Sequence, residues 1–166
     1  MGTPTDQELR ALSGRVAERL LGAGRCLVVA ESCTGGWVAK ACTDIAGSSG
    51  WFLGGAVAYG NDVKAGVLGV RVETLRDEGA VSQAAVREMA AGALERIGGD
   101  VAVAVSGIAG PDGGAPGKPV GTVWFAWAVR HADRLEVRTA LERFAGDRES
   151  VRRQAVAAAL RGVLEV

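Results

Sequence analysis

The stretch Ala30-Glu31-Ser32-Cys33-Thr34-Gly35-Gly36 decides the fold prediction. It follows an apolar run, Cys26 to Ala30, and precedes a helix-like segment, Trp37 to Thr43. Glycines at such a junction let the backbone approach a ligand closely, and the first N–H groups of a helix are unpaired. The stretch therefore predicts a strand that turns into a helix. Ser32 is either part of an anion or substrate site or an ordinary residue of a capped turn.

Hydrophobic periodicity outside this stretch predicts alternating helices and strands. The pattern favours an α/β fold, a single layered α/β/α domain over residues 1–166 with a mixed β-sheet. No internal repeat or linker interrupts it. Helices are predicted at Asp6–Gly22, Trp37–Thr43, from Asn61, and at Glu73–Glu78, Gln83–Ile97 and Asp147–Val163; strands are predicted at Cys26–Ala30, Trp51–Tyr59, Val101–Val105, Val120–Arg130 and Leu135–Phe144.

A second strand also ends in small residues. The apolar run Val101 to Val105 leads into Ser106-Gly107-Ile108-Ala109-Gly110-Pro111. Ligands of open α/β sheets bind beyond the carboxyl ends of strands, so the ends at Ser32 and Ser106 are expected to face one crevice. The loop Ala46-Gly47-Ser48-Ser49-Gly50 is either a second wall of that site or a flexible connection.

Composition argues against nucleic acid and membranes as the main partners. The 166 residues carry 19 basic and 19 acidic side chains, and no apolar run approaches the roughly 20 residues of a membrane span. The segment Met1 to Arg10 lacks the basic and apolar regions of a signal peptide, which favours a cytoplasmic protein.

Cysteine and histidine usage argues against a metal site. Cys26, Cys33 and Cys42 show no CxxC spacing, and His131 is the only histidine. A structural zinc site and a disulfide framework are therefore not expected, and neither is a metal cofactor. Because His131 lies in a polar, turn-like stretch, the base of an enzyme built on this chain is not expected to be histidine.

Lys64 and Tyr59 are the candidate partners of Ser32. A serine needs a base to act as a nucleophile, and a desolvated neutral lysine can serve. A lysine near a helix N-terminus, or a buried one, has a lowered pKa, which this role requires. Tyrosine can relay a proton or hold the hydroxyl, and amides around Cys33 to Gly36 or around Gly107 can form an oxyanion hole. Each residue also has an ordinary structural explanation.

Several motifs in this order resemble the CinA C-terminal domain family. Besides the Ser32 stretch they are Ala46-Gly47-Ser48-Ser49, Tyr59-x-Asn61-x-x-Lys64, Gly79-Ala80-Val81-Ser82, Ser106 to Pro111, Lys118-Pro119-Val120-Gly121-Thr122-Val123, and Gly146-Asp147-Arg148 with Arg152. The resemblance covers about residues 6 to 163. It implies hydrolysis of the carboxamide of nicotinamide mononucleotide, without a cofactor, in pyridine nucleotide recycling.

The resemblance also implies roles for individual residues. Ser32 would attack the carboxamide carbon, Lys64 would be the general base and Tyr59 would assist proton transfer. Arg148 would bind the phosphate, because arginine donates in a bidentate fork. The remaining substrate-binding candidates are Thr34, Gly35, Gly47, Ser48, Asn61, Ser106 and Gly107. The partners implied are the small-molecule nucleotide and further copies of the chain, as a homo-oligomer.

Two alternatives and one departure accompany this prediction. The chain is alternatively a nucleotide-binding or interaction module with little catalysis, or an amidase for a different carboxamide. Gly60 stands where many relatives have serine, so any contact from that hydroxyl is missing. Longer family members carry an additional N-terminal domain, whose activities are not carried over to this chain.

Overall fold

The computed structural model describes residues 2–166. In this range the helices are α1 (Asp6–Ala23), α2 (Trp37–Thr43), α3 (Asn61–Leu68), α4 (Val72–Asp77), α5 (Gln83–Arg96) and α6 (Arg148–Val163). The strands are β1 (Leu27–Glu31), β2 (Phe52–Val57), β3 (Val101–Gly107), β4 (Thr122–Arg130) and β5 (Leu135–Arg143), and Ser48–Gly50 forms a short 3-10 helix. No helix within residues 2–166 is long and apolar enough to cross a membrane.

The strands form one mixed sheet in the order β2-β1-β3-β4-β5. Strand β1 pairs in parallel with both β2 and β3, whereas β3, β4 and β5 are joined by antiparallel pairing. The predicted α/β class with a mixed sheet is therefore confirmed. Because β1, β2 and β3 are parallel, their carboxyl ends lie at the same edge of the sheet.

Alternating side chains of the strands build two cores, one on each face of the sheet. Val29 and Val103 face α1, α2 and α6, and Ala30 and Ala104 face α3 and α5. Trp124 and Trp127 of β4 lie on opposite faces, since Trp124 packs on the second core and Trp127 belongs to the first.

Residues next to the helices in sequence cap several of their ends. Thr5 caps α1 in a reciprocal capping box with Glu8, and Gly24 ends the helix with a φ of 62°. Ser82 caps α5 by accepting from the N–H of Ala85. Helix α3 begins at Asn61 with Gly60 as its N-cap, so Lys64 is the fourth helical residue.

Two strands differ from their predicted form. Strand β2 spans Phe52–Val57 and is therefore shorter than the predicted Trp51–Tyr59, and its pairing with β1 shifts register between Leu27 and Val28. Strand β3 continues through Ser106 and Gly107, which the sequence assigned to a loop. The antiparallel pairing of these two residues with Trp124 and Val123 of β4 explains the extension.

Candidate active site

Ser32 and Lys64 meet at the carboxyl edge of β1. Ser32 directly follows β1, and its N–H donates to the carbonyl of Val105 at 2.9 Å, which anchors the turn to β3. Lys64 extends from α3 to place its Nζ 2.9 Å from Ser32 Oγ. Lys64 is only 1% exposed. The predicted pair is thus in hydrogen-bonding contact, although 32 residues separate the two in sequence.

Burial shifts Lys64 toward its neutral form, in which it can act as a base. Burial removes water from the ammonium group and lowers the pKa of Lys64. The Nζ atom also lies 2.7 Å from the carbonyl oxygen of Ala58 and 2.9 Å from that of Tyr59. A neutral amine has two hydrogens, which these carbonyls accept. Its lone pair is then left for the hydroxyl proton of Ser32, which is the geometry of a general base.

Tyr59 contributes to this cluster through two different groups. Its carbonyl helps to hold Lys64, and its hydroxyl accepts a hydrogen bond from Arg148 Nη2 at 3.0 Å. Within residues 2–166 the hydroxyl has no hydrogen bond to Ser32 or Lys64. The side chain is 58% exposed. The structure therefore places the tyrosine hydroxyl beside the candidate phosphate-binding arginine.

Arg148 lies at the start of α6 and reaches the same edge of the sheet. Its Nη1 donates to the carbonyl of Gly110 at 2.6 Å, in the loop that follows β3. Asp147 caps the helix by accepting from the N–H of Ser150, which fixes where Arg148 leaves the backbone. Arg148 is exposed, so its remaining N–H groups are available to an anionic ligand.

Glu31 is a structural member of the site to which the sequence assigned no role. It is fully buried, and its carboxylate accepts from the N–H groups of Gly36, Val38 and Ala39 at 2.8–3.0 Å. These are N–H groups at the start of α2, whose N-cap residue, Gly36, offers no side chain. The available signal was an acidic residue a few positions before a helix that lacks a polar cap.

Arg152 is a second residue whose role the sequence did not predict. It lies one turn after Arg148 on α6, and its guanidinium donates to the carbonyls of Cys33 at 3.1 Å and Thr34 at 2.9 Å. The guanidinium carbon is 5.1 Å from the centroid of the Trp37 ring. The spacing of four residues between the arginines was the available signal, because it puts both on one helix face.

The predicted binding residues of the Ser32 turn lie where the sequence indicates. Thr34 is fully buried, and within residues 2–166 its hydroxyl has no hydrogen-bond partner. Gly35 and Gly36 have φ values of 61° and 93°, which side-chain-bearing residues rarely adopt. The two glycines therefore make the sharp turn possible.

Ser106 and Gly107 also reach this edge, but their contacts are internal. Ser106 is buried, and its hydroxyl donates to the carbonyl of Ala80 at 2.7 Å, which anchors the loop before α5. A side chain at Gly107 would contact Thr122 and Val123 of β4. Asn61, at the start of α3, lines a depression of about 240 Å³ between α3 and α4.

The prediction that Gly47 and Ser48 line the same site is wrong within one chain. Their loop precedes β2, and the carbonyl of Trp51 accepts from the N–H of Leu27 at the amino end of β1. Ser32 lies at the other end of that strand, roughly 16 Å away for a rise of about 3.3 Å per residue. The parallel pairing of β1 and β2 causes this separation.

Cys33 is not poised to compete with Ser32 as a nucleophile. Burial raises the pKa of its thiol to about 12, and the thiolate is the reactive form. Among residues 2–166, no cluster of three or more His, Cys, Asp and Glu side chains is arranged to hold a metal ion.

Residues 9–166 match the family model of the CinA C-terminal domain. The chain belongs to this family. Within the CinA family, the chain is 56% identical to the nicotinamide-nucleotide amidohydrolase PncC of Escherichia coli K12, over 94% of this chain and 93% of that protein. It is 48% identical to the protein of the same name from Pseudomonas putida, over 95% and 96% of the two chains.

Crystal structures of CinA-family proteins share the fold. The competence/damage inducible protein CihA of Agrobacterium tumefaciens superposes with a TM-score of 0.91 at 41% identity, over 98% of this chain and 96% of that one. The competence damage-inducible protein A of Klebsiella pneumoniae gives a TM-score of 0.89 at 44% identity, over 95% of each chain.

Proposed function

We propose that this protein hydrolyses the carboxamide of nicotinamide mononucleotide to nicotinate mononucleotide and ammonia, in pyridine nucleotide recycling. The contact between Lys64 Nζ and Ser32 Oγ, at 2.9 Å in a buried setting, carries the proposal. The high identity to amidohydrolases named for this substrate supports it. We also infer that residues 1–166 act as one domain and that the protein is cytoplasmic and homo-oligomeric.

The reaction begins with attack of Ser32 on the carboxamide carbon. Lys64 takes the hydroxyl proton as the Ser32 Oγ–carbon bond forms, and the electron pair of the C=O π bond moves onto the oxygen. When this oxyanion collapses, the carbon–nitrogen bond breaks. Lys64 returns the proton to the leaving nitrogen, which departs as ammonia and leaves an acyl-enzyme.

Hydrolysis of the acyl-enzyme repeats these steps with water. Lys64 takes a proton from the water as its oxygen bonds to the acyl carbon, and the carbon–Ser32 Oγ bond then breaks. The proton passes to Ser32 Oγ, and the product forms as a carboxylic acid, which ionises to the carboxylate by giving its remaining proton to the released ammonia or to water. Each proton that Lys64 accepts is returned in the same half-reaction, so the step requires no co-reactant other than water.

Arg148 and Tyr59 are proposed to bind the phosphate end of the nucleotide. The guanidinium uses one N–H for Gly110 and one for the Tyr59 hydroxyl, which leaves three of its five donors for phosphate oxygens. The tyrosine hydroxyl keeps Arg148 near Lys64, because the carbonyl of the same tyrosine binds Lys64 Nζ. Assistance by Tyr59 in proton transfer stays a prediction.

Ammonia release from nicotinamide mononucleotide tests the proposal. The wild type is expected to release ammonia, and Ser32→Ala is expected to lose this activity while keeping its fold and ligand binding. Ser49→Ala is the matched control, because Ser49 is an exposed serine in the loop at the opposite edge. A well-folded wild type that binds the nucleotide without releasing ammonia would favour a binding module. Release from other carboxamides alone would favour a different amidase. An active Ser32→Ala variant would rule out the nucleophile.

A further inference from the structure

Some N–H groups of the turn that carries Ser32 donate hydrogen bonds within the turn or to the end of β1. The N–H of Gly35 donates to the Ser32 carbonyl at 3.0 Å, and the N–H of Gly36 donates to Glu31 at 3.0 Å. Within residues 2–166 the N–H groups of Cys33 and Thr34 have no acceptor on another residue. These two N–H groups are therefore the donors left in the turn next to the nucleophile.

Unpaired donors beside a nucleophile suit the charge that develops during acyl transfer. Backbone N–H groups in buried surroundings are nearly always paired, because leaving them unpaired costs free energy. Cys33 and Thr34 are both buried, and the Thr34 hydroxyl also lacks a partner. Preorganised donors aimed at a developing oxyanion are a major source of rate enhancement in acyl transfer.

Arg152 controls the peptide that joins these two residues. Its Nε donates to the Cys33 carbonyl at 3.1 Å, and this carbonyl belongs to the same peptide plane as the N–H of Thr34. Its Nη2 donates to the next carbonyl, that of Thr34, at 2.9 Å. A cation at the oxygen fixes the plane and draws electrons from it, which makes the N–H a stronger donor.

We propose that Arg152 is a positioning residue. It fixes the Cys33–Thr34 peptide so that the unpaired N–H groups of the turn stabilise the oxyanion formed when Ser32 attacks a carboxamide. The inference rests on the proposed function. Arg152 does not touch the substrate in this scheme, and acts through the main chain of the turn.

Arg153 provides a matched control on the same helix. Its guanidinium carbon also lies over the Trp37 ring, 4.9 Å from the centroid, and it forms ion pairs with Asp6 and Glu149. Its main-chain contact is the Pro4 carbonyl, at the start of the chain and not in the Ser32 turn. Loss of Arg153 therefore removes the same charge from α6 without releasing the Cys33–Thr34 peptide.

The test compares kcat and KM for ammonia release from nicotinamide mononucleotide. Arg152→Gln is expected to lower kcat by about 10- to 100-fold with KM within about twofold of wild type, because the lost interaction acts in the transition state. Arg153→Gln is expected to keep wild-type kcat. Arg152→Lys, which keeps one charged donor, is expected to give an intermediate kcat. Millimolar guanidinium ion is expected to restore part of the kcat of Arg152→Ala.

The results separate this inference from the proposed function. A wild type that releases no ammonia contradicts the function itself. An active wild type with equal kcat values for Arg152→Gln and Arg153→Gln overturns the positioning role alone, as does a change confined to KM. If Arg152→Gln does not fold, the folded Arg152→Lys variant decides, and a wild-type kcat in it would overturn the inference.

Discussion

Lys64 is a buried lysine that two main-chain carbonyls hold against Ser32. Since catalysis requires the neutral amine, we expect kcat/KM for ammonia release to rise with pH as Lys64 loses its proton. Burial lowers the pKa of Lys64, so the midpoint of this increase in kcat/KM is expected at a pH below the usual lysine pKa of about 10.4. Lys64→Arg stays charged and is expected to lose about 10²-fold or more in activity.

These expectations are tested by measuring kcat/KM for ammonia release as a function of pH for the wild type and Lys64→Arg. Lys40→Arg serves as the control, because Lys40 is exposed and paired with Asp44. A wild-type profile that stays flat up to pH 10 would contradict a titrating base, and so would near-wild-type activity of Lys64→Arg.

The hydroxyl of Tyr59 has a separate test. Because it binds Arg148, we expect Tyr59→Phe to raise KM by about tenfold, the typical cost of one hydrogen bond to a charged group, with a smaller effect on kcat. Steady-state kinetics with nicotinamide mononucleotide provide the measurement. A fall in kcat at unchanged KM would instead assign the hydroxyl to proton transfer.

Helix α2 depends on a cap that precedes it by several residues. The carboxylate of Glu31 accepts hydrogen bonds from three N–H groups. In a glutamine at this position one of the two oxygens is replaced by an NH₂ group, which is a donor and cannot accept from an N–H group. We expect Glu31→Gln to lower the free energy of unfolding by about 2–4 kcal/mol. Urea unfolding measures this change. The comparison is Ser82→Ala, which removes the N-cap of α5 and is expected to cost about 1 kcal/mol. A cost for Glu31→Gln no larger than that of Ser82→Ala would disagree with the cap assignment.

Substitution by alanine is expected to have opposite effects on stability at two helical glycines. A methyl group at Gly162 of α6 would overlap the ring of Trp127, whereas one at Gly14 of α1 meets open space. We expect Gly162→Ala to destabilise the protein by about 1–3 kcal/mol through overpacking. Gly14→Ala is expected to stabilise it by about 0.5–1 kcal/mol through helix propensity. Thermal unfolding of both variants measures the two changes in stability. If both changes have the same sign, packing at Gly162 does not control the effect of the substitution.

For the molecule as a whole, the sequence predicted the elements better than their assembly. Periodicity and caps at Thr5 and Ser82 are local, so the helices were correct to within one or two residues. The site needed contacts across the chain. The Arg152–Thr34 bond spans 118 residues, and no local pattern encodes such a contact.

The error at Gly47 and Ser48 has the same origin. The order of motifs along the chain does not show at which end of a strand a loop lies. The loop precedes β2, and parallel pairing with β1 then places it at the amino edge. Conversely, Ser32 and the end of β3 share the carboxyl edge as expected, because both strands run in the same direction.

The burial of Lys64 also affects the stability of the whole molecule. A lowered pKa in the folded state means that, between this pKa and about 10.4, the unfolded chain binds one more proton than the folded chain. The free energy of unfolding of the wild type should then rise with pH in this window, by up to about 1.4 kcal/mol per pH unit, and level off above it. Lys64→Met lacks this titration. The free energy of unfolding of the wild type is therefore expected to increase relative to that of the variant as pH rises.

Urea unfolding at a series of pH values measures this difference directly. Lys40→Met is the control, because it removes an exposed lysine, with a side chain 63% exposed, and its curve should follow that of the wild type. Parallel curves for wild type and Lys64→Met would mean that Lys64 stays protonated in the folded protein throughout the range. A neutral Lys64 would then have to arise when substrate binds, and its role as the base would depend on the ligand rather than on the fold.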